Sequence, residues 1–137
     1  MAEAARLTVD ERKTVIDRVK PMRDRLADGL LSSVPNTVES GDRAHKVAGN
    51  CHLCFDAIES EALLFILEQH DVMASAAASC ASGAQDPSHV LAALGVPRER
   101  AQGSLRLSLG TTTIGGDVDV ALAVIPPAVE RLRERGS

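Results

Sequence analysis

The near absence of large aromatic residues is the feature that most constrains how this chain can fold. Its 137 residues include no Trp and no Tyr, and Phe55 and Phe65 are its two phenylalanines. Because aromatic side chains usually fill much of a core, this core must be built from aliphatic residues and alanine. The length suits one domain with a real core, and no linker or repeat divides it. We expect residues 1–137 to form a single domain.

Composition also limits the classes of partner. The formal net charge is −4, so a basic nucleic-acid-binding face is not expected. No apolar run approaches the roughly 20 residues needed to span a bilayer, so we expect no membrane partner. The first twelve residues are charged and unlike a secretory signal. Three cysteines, an odd number, then favour reduced thiols and a cytoplasmic protein.

Helical patterns open and close the chain. Thr8 and Glu11 have capping-box spacing, which predicts a helix start, and Pro21 should kink or split this helix before it ends near Ser33. A final helix is predicted over residues 118–135, disturbed by Pro126 and Pro127. In the first helix, the apolar residues that share one face are Val15, Ile16, Val19, Met22, Leu26 and Leu30.

Short strands are predicted between these helices. Residues 51–55 and 105–109 alternate apolar and polar side chains, as half-buried strands do. A third strand and a loop are expected within residues 37–50, and a short apolar strand over residues 72–76. In the strand over residues 105–109, the leucines should face the core and Arg106 the opposite side.

Two further helices complete the prediction. One begins at residues 59–61, and the other follows the Asp86–Pro87 cap and ends at Gly95. Residues 96–103 read as a charged loop. This order of elements indicates an α+β fold, with a small, mainly antiparallel sheet of three to four strands covered by helices.

The cysteine pair and the histidines could indicate a metal or redox site, but a structural role is the better interpretation of both. Cys51 and Cys54 lie three apart in a predicted strand, so they point to opposite faces and cannot share a tetrahedral zinc. They also lack the helix N-terminus of a redox pair. The four histidines are scattered, and each is expected to be a surface or capping residue. His89 has the best chance of approaching a bound group. The other histidines are His45, His52 and His70.

Cys80 and Arg106 are the residues best suited to chemistry. Cys80 lies in a run of small residues, 74–83, where few neighbours in sequence could bury it. Arg106 is the single charged residue of its predicted strand. Each has a simpler interpretation, as a small buried thiol and as one partner of a surface ion pair. For Cys80, composition alone favours the small buried thiol, and neither residue is decisive when taken singly.

Taken together, the segments resemble the C-terminal small domain of the cysteine desulfurases, fold-type I enzymes dependent on pyridoxal phosphate. The resemblance runs from about Met22 to the end of the last helix. It implies that Cys80 is the nucleophile that accepts sulfur from L-cysteine and becomes a persulfide, with alanine released. It implies that Arg106 binds the substrate carboxylate. The matching segments, in order, are residues 23–26, 49–55, 61–64, 75–80, 86–95 and 104–110.

The same resemblance implies that most of the enzyme lies outside this sequence. Lys13, Lys20 and Lys46 are in no motif like the cofactor lysine site, so we expect this chain alone to bind no pyridoxal phosphate. Residues 1–33 read as the helix that would leave a missing cofactor-binding domain. The chain would then be a fragment, a proteolytic product or half of a split gene. Ala77 stands where the family usually has glycine, which predicts a stiffer loop around Cys80.

The sequence is compatible with three functions. The first is the small domain of a desulfurase, with the cofactor domain, L-cysteine and a sulfur acceptor, such as an iron–sulfur scaffold, as partners. The second is a persulfide carrier or assembly module that uses Cys80 without a cofactor. The third is a degenerate structural relative in which Cys80 and Arg106 are remnants.

Overall fold

A computed structural model describes residues 2–76 and 88–136 of the chain. Five helices and three strands occur in this part. In chain order they are α1 (Ala2–Ser33), β1 (Thr37–Glu39), β2 (Asn50–Phe55), α2 (Ser60–Glu68), α3 (His89–Ala93), α4 (Arg98–Ala101), β3 (Ser104–Ser108) and α5 (Gly115–Gly136).

The strands form one antiparallel sheet in the order β1-β2-β3. On β2, Leu53 is opposite Glu39 of β1 and Leu105 of β3. The predicted strands over 51–55 and 105–109 are therefore confirmed within a residue of their bounds. The expected α+β fold with a small antiparallel sheet is confirmed as well.

One face of the sheet carries the core. Alternate residues of β2 and β3 are buried there, because successive side chains in a strand point to opposite faces. Leu53, Phe55 and Leu105 are fully buried and Leu107 nearly so. They pack with apolar residues of the three longer helices, such as Leu30 of α1. Burying each such side chain contributes about 1.5–3 kcal/mol, so this aliphatic layer holds the sheet and the helices together.

Helix α1 differs from its prediction at two points. It begins at Ala2, so Thr8 lies inside the helix and does not cap it, and it runs unbroken through Pro21. Proline removes one helical hydrogen bond and crowds the carbonyl four residues back. Val19 and Leu26, on either side of Pro21, are buried at 1% and 3% exposure. Their packing keeps the helix continuous where local preference would break it. The helix ends at Ser33 as predicted.

Helix α5 also contains its two prolines without interruption. Ile125 and Val129, which bracket Pro126 and Pro127, are fully buried in the core. The two prolines therefore do not interrupt the helix, for the same reason as at Pro21. None of the helices in the described ranges is long and apolar enough to cross a membrane.

The segments beside β3 differ more from the prediction. Residues 72–76 form no strand. Ser75 alone pairs with Arg106, as an isolated bridge on the outer side of β3. The predicted loop over 96–103 contains the single-turn helix α4, which follows Pro97. Helix α3 is capped by Ser88, whose Oγ accepts a hydrogen bond from the Val90 amide. The predicted cap at residues 86–87 lies outside the described residues.

The turn after β3 is tied to α1. The Arg18 guanidinium donates hydrogen bonds to the carbonyl oxygens of Thr111 at 2.5 Å and Thr113 at 2.6 Å. A longer contact of 3.4 Å reaches the carbonyl of Gly110. A side chain near the start of the chain therefore holds the backbone just beyond the strand that carries Arg106.

Candidate functional site

Arg106 lies at the middle of β3 and points away from the core. Its neighbours Leu105 and Leu107 are buried and Arg106 itself is exposed, as the alternation in sequence predicts. Its backbone exchanges two hydrogen bonds with Ser75, with N–O distances of 2.8 and 3.1 Å. Arg106 is therefore held between β2 on one side and Ser75 on the other.

A cleft opens on this second face of the sheet, next to Arg106. Its volume is about 370 Å³, within the range of small-molecule sites. We call it the Arg106 cleft. Its lining residues come from the loop after β1, from β2 and β3, and from α3 with its flanking residues. They are Ser40, Gly41, Asp42, His45, Lys46, Asn50, His52, Ser88, Val90, Leu91, Leu94 and Arg106.

Apart from Arg106, the charged groups of the Arg106 cleft already have hydrogen-bond partners. Lys46 donates to the Glu39 carboxylate and to the Ser40 carbonyl, both at 2.8 Å. Asp42 accepts hydrogen bonds from the Ala44 amide and pairs with His45. The Ala44 amide is the main reason that the pKa of Asp42 is lowered, and the His45 bond adds to it.

Arg106 differs from these groups. Among residues 2–76 and 88–136, no carboxylate lies within ion-pair distance of its guanidinium. The simpler interpretation of Arg106, as one partner of a surface ion pair, thus finds no such partner in the described ranges. A planar cation that faces a cleft can donate two parallel hydrogen bonds to a carboxylate.

His52 is the functional candidate that the sequence did not reveal. It was expected at the surface or as a cap, but it lies on β2 with 8% exposure. Neither ring nitrogen has a hydrogen-bond partner within the described part of the chain. Burial lowers the pKa of His52, and the nearby charges of Lys46 and Arg106 lower it further. The ring is therefore neutral near pH 7, with one N–H donor and one acceptor nitrogen.

The remaining histidines are weaker candidates for a ligand-binding role. His89 opens α3 as predicted, but it is exposed and does not line the Arg106 cleft. His45 lines the cleft and its side chain is 84% exposed. His70 is exposed in the turn after α2. No cluster of three or more potential metal ligands occurs among the residues that the structure describes.

Cys51 and Cys54 are buried thiols on opposite faces of β2. Cys51 belongs to the core, where burial raises its pKa to about 12. The pKa of Cys54 is also raised by burial, partly offset by a hydrogen bond to Ser40 Oγ at 3.5 Å. Because the thiolate is the nucleophile and the metal ligand, neither residue is suited to attack at neutral pH.

Cys80, the predicted nucleophile, lies outside the described residues, which resume at Ser88. The two flanks of that gap lie at β3 and at the Arg106 cleft, respectively. Ser75 is bonded to the backbone of Arg106, and Ser88 lines the cleft. The described structure therefore brings the chain before Cys80 to the backbone of Arg106 and the chain after it to the cleft that Arg106 lines.

The described residues do not fit pyridoxal phosphate. Its covalent attachment needs a lysine amine free to react. Lys46 is already bound to Glu39 and Ser40. Lys13 is 92% exposed and pairs with Asp17 on the surface of α1, and Lys20 is exposed on the same helix. No lysine of this chain lies in an enclosed site where the cofactor would bind.

Comparison with known proteins identifies the relatives of this chain. No family model matches. The chain is 42% identical over 134 residues to an IscS-like cysteine desulfurase of Mycobacterium tuberculosis, covering 97% of this chain and 34% of that protein. It is 45% identical over 112 residues to the cysteine desulfurase IscS of Methanosarcina thermophila, covering 82% and 28%.

A solved structure agrees on the fold. A NifS-like protein superimposes with a TM-score of 0.79 at 23% identity, covering 96% of this chain and 32% of the other. The chain spans about one third of the length of these relatives. Over nearly its whole length, it is therefore homologous to about one third of a cysteine desulfurase.

Proposed function

We propose that this chain acts as the small-domain part of a cysteine desulfurase, with pyridoxal phosphate held by residues beyond this sequence. Cys80 accepts the sulfur of L-cysteine, and Arg106 binds the carboxylate of that substrate. In the net reaction a C–S bond of the substrate breaks, an S–S bond forms at Cys80, and the substrate leaves as alanine. The persulfide then passes to an acceptor protein, for which an iron–sulfur scaffold in the cytoplasm is our candidate.

The observation that carries this proposal is the backbone pairing of Arg106 with Ser75 beside an open cleft. Five peptide units separate Ser75 from Cys80, and an extended chain covers at most about 18 Å in that number. A nucleophile and a carboxylate anchor for one small amino acid must act within such a distance. The exposed guanidinium, without a carboxylate partner in the described ranges, supports the anchor role.

The test combines this chain with the remaining two thirds of a related desulfurase, produced separately. We expect alanine release from L-cysteine only when both parts are present. Cys80→Ser should abolish it, because no thiolate remains to accept sulfur. Arg106→Ala should raise KM and lower kcat/KM by about 10²-fold or more, since a charged hydrogen bond contributes about 1.5–3 kcal/mol and the pair is two-pronged. Equal activity of Cys80→Ser and the wild type would refute the proposal.

A persulfide carrier is the second candidate, favoured by the poor fit of the described residues to pyridoxal phosphate. The chain alone, incubated with an active desulfurase and L-cysteine, would then gain one sulfur atom on Cys80, which mass spectrometry after digestion locates. Cys80→Ser is the matched control. An adduct on Cys80 of this chain, which carries no cofactor-binding part of its own in the assay, supports the carrier. An unmodified Cys80 argues against the carrier.

A further inference from the structure

His52 and Arg106 occupy opposite positions on neighbouring strands. They are register partners in the antiparallel pair of β2 and β3. The backbone of Arg106 directs its hydrogen bonds to Ser75, and the carbonyl of His52 accepts from the Ser40 amide on the other side. Neither backbone therefore bonds to the other, which makes this a non-hydrogen-bonded pair. In such pairs the Cα atoms are about 4.5 Å apart and the side chains are closest.

The buried imidazole of His52 lacks the partners that buried polar groups normally have. Both nitrogens are inaccessible and unpaired within residues 2–76 and 88–136. Leaving one such group unsatisfied costs about 1–3 kcal/mol, so folded proteins seldom do so without a functional reason. His52 and Arg106 line the same cleft, and as register partners their side chains share one face of the sheet.

The chemistry of the Arg106 cleft selects an anionic ligand. Lys46 and Asp42 are already paired, which leaves the Arg106 guanidinium as the available charge among the cleft residues of ranges 2–76 and 88–136. Val90, Leu91 and Leu94 supply an apolar wall. A carboxylate offers only acceptor atoms, and it can receive hydrogen bonds from a guanidinium and from a ring N–H at the same time.

We propose that His52 is a second ligand-binding residue of the Arg106 cleft, donating a ring N–H hydrogen bond to the carboxylate that Arg106 binds. The identity of that carboxylate as the one on L-cysteine rests on the proposed function. His52 also restricts the ligand. Burial on β2 fixes the position of the His52 ring N–H. A carboxylate bound to Arg106 can therefore accept this hydrogen bond best in one orientation of its plane.

The test uses the full chain labelled with ¹⁵N in its histidine and arginine side chains. L-Alanine is titrated as the carboxylate probe, and cysteamine, which has the amine and thiol of cysteine but no carboxylate, is the matched control. We expect L-alanine to shift the Arg106 Nε and His52 ring signals with one dissociation constant, and cysteamine to shift neither. His52→Leu should weaken binding by about tenfold or more, the effect of a hydrogen bond to a charged group.

His52→Asn keeps an N–H donor and should retain more of the affinity than His52→Leu, which guards against a folding defect in the apolar variant. If Arg106 responds while His52 does not, or if His52→Asn and His52→Leu bind like the wild type, this proposal is overturned and the proposed function stands. If neither signal responds, both His52 and Arg106 lose their assigned roles, whereas sulfur transfer to Cys80 is judged by its own experiment.

Discussion

Ser75 and Arg106 exchange both of their backbone hydrogen bonds, although 31 positions separate them in sequence. The exchange extends β3 by a single bridge and fixes the chain that leads toward Cys80 against the strand that carries Arg106. The proposed chemistry depends on Cys80 and Arg106. This pair of hydrogen bonds holds the segment before Cys80 beside Arg106.

Ser75→Pro should release this attachment, because proline has no amide to donate to the Arg106 carbonyl. We expect the Arg106 amide to exchange its hydrogen about tenfold faster or more, as expected for loss of about 1–1.5 kcal/mol of hydrogen bonding. The amides of Leu105 and Leu107, which face β2, should keep their protection. Hydrogen exchange followed by NMR measures this. Ser75→Ala keeps both backbone bonds and should match the wild type.

The three thiols should react at clearly different rates with a disulfide reagent at pH 8. Cys51 and Cys54 should react only after unfolding, since burial raises the pKa of both. One thiol per native chain should react fast, and Cys80→Ser should remove it. A Cys80 as slow as Cys51 would favour the degenerate structural relative over either sulfur-transfer function.

Gly103 should be intolerant of any side chain. A Cβ there would lie 1.9 Å from the Phe55 carbonyl oxygen, which is backbone and cannot move aside. Gly103→Ala should therefore lower the free energy of unfolding by about 2 kcal/mol or more. Gly110→Ala, where a Cβ meets nothing within 4 Å, should change it by less than about 0.5 kcal/mol. Urea denaturation of both variants checks the difference, and equal midpoints would contradict it.

Protonation of His52 should destabilise the fold in mild acid. Its folded pKa lies below the ordinary value of 6.5 because of burial and the charges of Lys46 and Arg106. The unfolded chain therefore takes up this proton first, and stability falls as the pH drops from about 6.5 toward the folded pKa. His52→Asn should flatten that slope in urea unfolding measured across pH. His70→Asn, at an exposed turn, should keep the wild-type dependence.

Sequence patterns predicted the sheet and the position of Arg106 because both follow from a local period of two. Leu105 and Leu107 are buried and Arg106 is exposed, as alternation requires. The same argument placed Cys51 and Cys54 on opposite faces of β2. The location of Cys80 stays a prediction, as do the roles of Cys80 and Arg106 and the cytoplasmic setting.

Features that depend on distant packing were predicted poorly. Pro21 breaks helices by local rules, but burial of Val19 and Leu26 keeps α1 whole. His52 follows the alternation along β2, but its 8% exposure on the face opposite the core is not a property that alternation predicts. A strand pattern predicts which face of the sheet a side chain occupies, but it does not predict which segments cover that face.

The hydrogen bonds from Arg18 to the turn after β3 give α1 a mechanical role. They join two segments more than 90 positions apart in sequence, and the turn is continuous with the strand that carries Arg106. A displacement of α1 along its axis would therefore act first on this turn and, through it, on the end of β3 rather than on the core face of the sheet.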